Sequence, residues 1–158
     1  MSFGICFVCT GNACRSPFAA CVTRRLLAEA GRTDFEVWSC GTLDWGENPR
    51  DAGMAEVARE MGYEMEGTTA HMTREGLMAA DVVIVFDKYQ RNAVTSVLDY
   101  ARWDRIALFN RIALDEAGAV EDPHSKSPGV YRRVAEHIER GCRRLVERWL
   151  AQGPGAAG

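Results

Sequence analysis

Positive charge is not in excess in this 158-residue sequence: 19 Lys and Arg stand against 22 Asp and Glu, for a net charge of -3. Such a balance gives no bulk field for nucleic acid or an anionic membrane, so neither is an expected partner and any anion site must be local. No run approaches the ~20 apolar residues that span a bilayer. The opening MSFGICFVC has no basic segment ahead of its short apolar run, so no signal peptide is expected and the cytoplasm is the expected location. Metal-ligand spacing is lacking as well. Cys6 and Cys9 form a CxxC, but no second pair answers it, and the three histidines lie far off at 71, 124 and 137. The cysteines stand at 6, 9, 14, 21, 40 and 142. Without a signal they do not make a secreted disulfide framework, and reduced thiols are expected.

What is present is an alternation of short β-leaning runs with helical patterns. Residues 4–9, 35–40, 80–86 and 104–109 read as strands. Residues 17–30, 51–61, 89–98 and 129–150 read as helices, the first two closed by Gly31 and Gly62. Residues 41–50 and 110–128 read as irregular, and a frayed tail is expected over 151–158. With no repeat and no linker, the pattern predicts a single α/β domain over 1–150. It has a four-stranded parallel sheet with helices on both faces.

The chemistry concentrates in ICFVCTGNACRSP, residues 5–17. Alternation along the first strand sends Cys6 and Cys9 to opposite faces, which argues against a CxxC redox pair. Cys6, Cys21, Cys40 and Cys142 read as small core side chains. Cys9 ends the strand, and Thr10, Gly11, Asn12, Ala13 and Cys14 lead to Arg15 at the start of a helix. Strand, tight loop and helix N-terminus turn a ring of backbone N–H groups inward, a nest for a tetrahedral anion. Gly11 is expected to supply a positive φ there. Arg15 adds a planar fork for two oxygens. The positive pocket favours the thiolate of Cys9, placed to attack a bound phosphate in line.

VCTGNACRSPFA resembles the phosphate-binding signature of the low-molecular-weight protein tyrosine phosphatases. SCGT at 39–42, ADVVIVFD at 80–87 and EDPH at 121–124 resemble further segments of that family, and the likeness runs over residues 5–150. The resemblance implies a phosphate-binding loop between the first strand and first helix, a phosphorylated protein substrate, phosphate or oxyanion ligands, and no metal or cofactor. It implies Cys9 as nucleophile, Arg15 as phosphoryl clamp and Asp122 as general acid and then base. Asn12 would hold the loop, Ser16 would donate to Cys9, and Cys14 would trap an oxidised Cys9 as a disulfide. Trp45 and His124 would flank the substrate cleft.

The sequence departs from the family at two positions. His124 and Ser125 stand where aromatic residues usually follow Asp-Pro, and Ala13 is neither the bulky aliphatic of tyrosine-specific members nor the Thr of arginine-specific ones. GVYRRVAEHIE resembles the arginine-phosphatase branch, so protein-arginine phosphatase is the alternative activity. An arsenate reductase would need further cysteines near residues 80–95, and none lies between Cys40 and Cys142. A phosphoprotein-binding module without catalysis would have no use for both Cys9 and Asp122.

Overall fold

The computed structural model describes residues 2–155. Four parallel strands form one sheet in the order β2-β1-β3-β4: β1 Phe3–Cys9, β2 Phe35–Gly41, β3 Val82–Val85 and β4 Ile106–Leu108. The chain moves from β1 to β2 on one side, then crosses to β3 on the other. The end of β1 is therefore a topological switch point, where open α/β sheets place their ligands. Cys9 pairs with Gly41 across one edge, and Val8 with Val85 across the other.

The central strands β1 and β3 bury both faces, which is why they read as continuous apolar runs, while β2 and β4 at the edges are only partly buried. Ile5, Phe7 and Cys9 join the core beneath α1 (Arg15–Glu29), α2 (Ala52–Glu60), α5 (Phe109–Leu114) and α6 (Pro128–Gln152). Cys6 and Val8 point the other way, into the core beside α3 (Arg74–Ala79) and α4 (Lys88–Thr95). Cys6 and Cys9 thus face opposite layers, as the alternation predicts. The long helix α6 packs against α1, α2 and α5. Its Trp149 and Leu145 are fully buried, and each apolar side chain of that size contributes about 1.5–3 kcal/mol on burial. Among the described residues no helix is long and apolar enough to cross a membrane.

Several boundaries differ from the sequence reading. The strand expected over 104–109 shrinks to three residues, because a 3-10 helix, Tyr100–Arg105, precedes it and Phe109 already opens α5. The expected irregular stretch 110–128 therefore contains helix. Its apolar residues, Ile112, Ala113 and Leu114, are buried against α6. Helix α3 has no counterpart in the sequence reading, although Thr73 caps it through the Gly76 amide. Asp51 is the cap of α2 rather than its first residue. Helix α6 continues through Gln152, past the expected start of the tail, and residues 156–158 lie outside the described residues. Cys21 is only partly buried, its thiol donating to the Glu64 carbonyl at 3.0 Å. Cys6, Cys40 and Cys142 are buried as expected.

Candidate active site

The loop after β1 owes its shape to where its carbonyls go. Six consecutive carbonyls are tied away from the loop centre. Cys9 O accepts from Thr42 N at 3.0 Å, Thr10 O from Leu43 N at 3.0 Å, and Ala13 O from Asp51 N at 3.1 Å. Gly11 O accepts from Trp45 Nε1 at 3.0 Å, and Asn12 O from Arg50 at 2.7 Å. Cys14 O takes the Phe18 amide at 3.3 Å, the first bond of α1. A peptide whose C=O points outward aims its N–H the other way. The loop amides are thereby turned toward the space above Cys9, at the positive end of α1, whose first turn carries no acidic side chain.

The positive φ expected at Gly11 falls instead on Asn12, at 56°. Asparagine tolerates this left-handed conformation better than other side chains because its amide can bond locally. Asn12 is buried and uses both ends of that amide. Its Nδ2 donates to Ser16 Oγ and Ser39 Oγ, both at 2.9 Å. Its Oδ1 accepts from Arg50 and from the Ala70 amide, both at 3.0 Å. Asn12 and Ser16 stand behind the cleft wall and do not line it. Ser16 Oγ lies 2.9 Å from Cys9 Sγ. Because Asn12 already donates to that oxygen, the hydroxyl proton is left for an acceptor, either the nearer Cys9 sulfur or the Cys40 carbonyl at 3.4 Å.

Arg15 is 3% exposed and held from three sides. It donates to Asp87 Oδ2 at 3.1 Å and to the Val120 carbonyl at 3.0 Å, and its other terminal nitrogen is 3.8 Å from Asp122 Oδ2. Asp87 also caps α4 through a capping box with Gln90, and Gln90 donates to Thr10 Oγ1 at 3.2 Å. Asp87, Gln90, Arg50 and Ser39 are supporting residues that the sequence reading does not single out. The only signal for Asp87 is its place at the end of ADVVIVFD, where an acid closes a strand.

These elements enclose a cleft of about 210 Å³ lined by Cys9, Thr10, Gly11, Ala13, Cys14 and Arg15 on its floor. Leu43, Trp45, Asp122 and His124 form its walls. Leu43 is a further wall residue, absent from the sequence expectation. Asp122 is half-exposed at the mouth, and its Oδ1 accepts the His124 amide at 3.1 Å.

On the Cys14 side of the rim, Asp51 gathers polar contacts. Its Oδ1 accepts the Met54 amide at 3.1 Å, while Oδ2 meets His124 Nδ1 at 3.0 Å and the Tyr131 hydroxyl at 3.1 Å. Burial alone raises a carboxyl pKa, but these hydrogen bonds outweigh it and hold Asp51 below its ordinary value. Burial, followed by Asp51, pushes Tyr131 up to about 12. Burial, then the charges of Asp51, Cys9 and Asp122, pushes the Cys14 thiol up. Away from the cleft, Cys6 is raised by its contact with Cys40 and by burial, and Cys142 is raised to about 12 by burial. Both are inert core thiols at neutral pH.

Comparison with known proteins places this geometry. The family model for low molecular weight phosphotyrosine protein phosphatase matches residues 4–153. The low molecular weight protein-tyrosine-phosphatase YfkJ of Bacillus subtilis (strain 168) is 29% identical over 146 residues, 90% of this chain and 92% of the relative. The protein-arginine-phosphatase of the same organism is 25% identical over 143 residues, 90% and 94% of the two chains. The crystal structure of a low molecular weight phosphotyrosine phosphatase from Vibrio cholerae O395 superposes with a TM-score of 0.90 at 27% identity, covering 96% of this chain and 99% of that one.

Proposed function

Since the chain belongs to the low molecular weight phosphotyrosine protein phosphatase family, we propose that it hydrolyses phosphotyrosine on protein substrates through a cysteinyl-phosphate intermediate. The observation that carries this reading is the set of six outward-tied carbonyls, which leaves a ring of amides above the Cys9 thiol. In the first step the Cys9 thiolate attacks phosphorus as the bond to the tyrosyl oxygen breaks, and Asp122 gives that oxygen a proton. The loop amides of residues 10–15 and Arg15 hold the three equatorial oxygens, whose charge they balance in the transition state. Ser16 supports the thiolate as leaving group in the second step. There Asp122, now ionised, takes a proton from the water that attacks the cysteinyl phosphate and releases inorganic phosphate. Trp45, Leu43 and His124 border the path of the substrate's side chain. Residues 1–150 carry this activity as one domain, and the cytoplasm is its place of action. No step calls for a metal or cofactor.

Phosphoarginine is the second substrate class to weigh. Ala13 leaves the cleft floor without a bulky aliphatic, and His124 stands where an aromatic residue would stack on tyrosine. The deciding measurement is kcat/KM for matched phosphotyrosine and phosphoarginine peptides. The phosphotyrosine peptide is expected to turn over faster, and the reverse order would reassign the substrate. Cys9→Ser is expected to abolish turnover of both with the unfolding midpoint retained; a fully active variant would overturn the nucleophile. Asp122→Asn should slow poor leaving groups more than good ones.

A further inference from the structure

Three side chains of different donor type meet beside the cleft, and none of them moves a proton or the phosphoryl group in the proposed steps. Cys14 stands at the entry to α1, Asp51 caps α2, and His124 follows the acid-bearing loop. One ligand atom from each, the sulfur, a carboxylate oxygen and a ring nitrogen, lies within 4.8 Å of the other two. His124 Nδ1 and Asp51 Oδ2 are already 3.0 Å apart. Ligand atoms around a tetrahedral zinc ion are separated by about 3.5 Å, given bond lengths of about 2.0–2.3 Å, so the closest pair opens by about 0.5 Å and no pair closes by more than about 1.3 Å. We propose that Cys14, Asp51 and His124 form a binding site for a borderline-soft divalent cation, zinc foremost, which ties the Asp122 loop to α2 and slows turnover.

The donor set selects the metal. Thiolate with imidazole and a single carboxylate suits zinc over magnesium or calcium, which take oxygen ligands. Two negative ligands balance the charge of a divalent ion, and the Cys14 proton leaves to solvent on coordination. Asp51 is aimed by its bonds to the Met54 amide and the Tyr131 hydroxyl, the kind of outer support that fixes a ligating carboxylate. Tyr131 in turn accepts the Ser125 amide at 3.2 Å, so the same network holds the segment after His124. Three protein ligands leave a fourth position. Cys14 and His124 both line the cleft, so that position opens toward the phosphate pocket. His124 lies two residues beyond Asp122, and its amide holds the Asp122 carboxylate at 3.1 Å. A cation on the His124 ring therefore restrains the group that must move a proton. The site lies outside the proposed catalytic steps, and its occupancy can be read without any turnover.

Zinc binding to the full-length protein, measured by competition with a chromophoric chelator, is expected to show one site per chain. Cys9→Ser keeps that affinity, whereas His124→Ala weakens it at least about tenfold, the loss that even an indirect support of a metal site produces. Cobalt(II) added to wild type or Cys9→Ser gives a thiolate charge-transfer band that Cys14→Ser lacks. His124 is exposed, so its variant folds; should Cys14→Ser fail to fold, the His124 affinity and the band in Cys9→Ser decide. The zinc concentration that halves aryl phosphate hydrolysis, referred to each protein's own rate, rises at least about tenfold in His124→Ala, and a chelator restores activity. Loss of binding in Cys9→Ser, or unchanged affinity in His124→Ala, overturns the proposal and assigns any zinc effect to the nucleophile.

Discussion

Arg15 and Asp87, 72 residues apart in the chain, meet as a part-buried ion pair at 3.1 Å, and this pair aims the guanidinium at the cleft. Asp87 holds a second post as the cap of α4. Asp87→Asn separates the two, because asparagine caps a helix as well as aspartate does. The variant therefore keeps the helix cap, and any fall in its unfolding free energy reports the Arg15 charge left without Asp87. Its kcat/KM for an aryl phosphate should fall roughly 100-fold, the cost of misplacing a catalytic group by about an ångström. Steady-state kinetics with a denaturation curve check both halves.

Asn12 combines a strained backbone with four side-chain hydrogen bonds. Asn12→Gly removes the bonds and relieves the strain; Asn12→Ala removes the bonds and keeps the strain. Both variants should lose activity. The alanine variant should be the less stable by about 1–2 kcal/mol, the penalty for a Cβ in the left-handed region. Equal stabilities would mean that the loop relaxes out of its positive φ.

Gly41 sits where β2 passes under the loop. A Cβ there would lie 2.7 Å from the Thr10 carbonyl and 3.0 Å from the Asn12 amide. Both are backbone atoms that cannot rotate away. Gly41→Ala is expected to displace the loop, to destabilise by about 1–3 kcal/mol as overpacking does, and to lower kcat/KM. Wild-type kinetics in that variant would show the loop to be softer than its hydrogen bonds indicate.

His137 gives stability a pH dependence. It is half-buried, and its Nε2 donates to Asn110 Oδ1 at 2.8 Å. Burial, then Arg140, holds its pKa below the ordinary value. The folded protein therefore binds this proton less readily than the unfolded chain. Stability from the neutral ring is complete above about pH 6.5, the unfolded value, and is lost as pH falls through the lower folded value. Thermal midpoints between neutral and mildly acid pH should drop more steeply for wild type than for His137→Gln.

How legible all this is in the sequence follows from what each feature depends on. The strand ending in Cys9, the loop and the helix beginning at Arg15 form one continuous stretch whose local physics is self-contained, so site and fold class are both readable there. Helix α5 is not. It starts at Phe109 directly on the end of β4 with no turn between them, and its apolar residues look the same in a strand reading. Asp87, Arg50 and Asp51 owe their roles to partners 72, 38 and 80 residues away. No spacing rule reaches that far. The positive φ goes to Asn12 because its amide can satisfy the buried groups around it, and a glycine has no side chain with which to do so.

The outward-tied carbonyls have a consequence for how this protein can diverge. They anchor the reactive loop to strand ends, to helix caps and to the side chains of Trp45 and Arg50, so most of the machinery that holds phosphate is inherited with the fold. Leu43, Trp45 and His124 contribute to the rim with side chains more than two-fifths exposed. Ala13 adds a single methyl group. Substitution at Leu43, His124 and Ala13 can redraw what the cleft admits at little thermodynamic risk, whereas Trp45 also holds the Gly11 carbonyl; a lineage can thus change clients while keeping its chemistry.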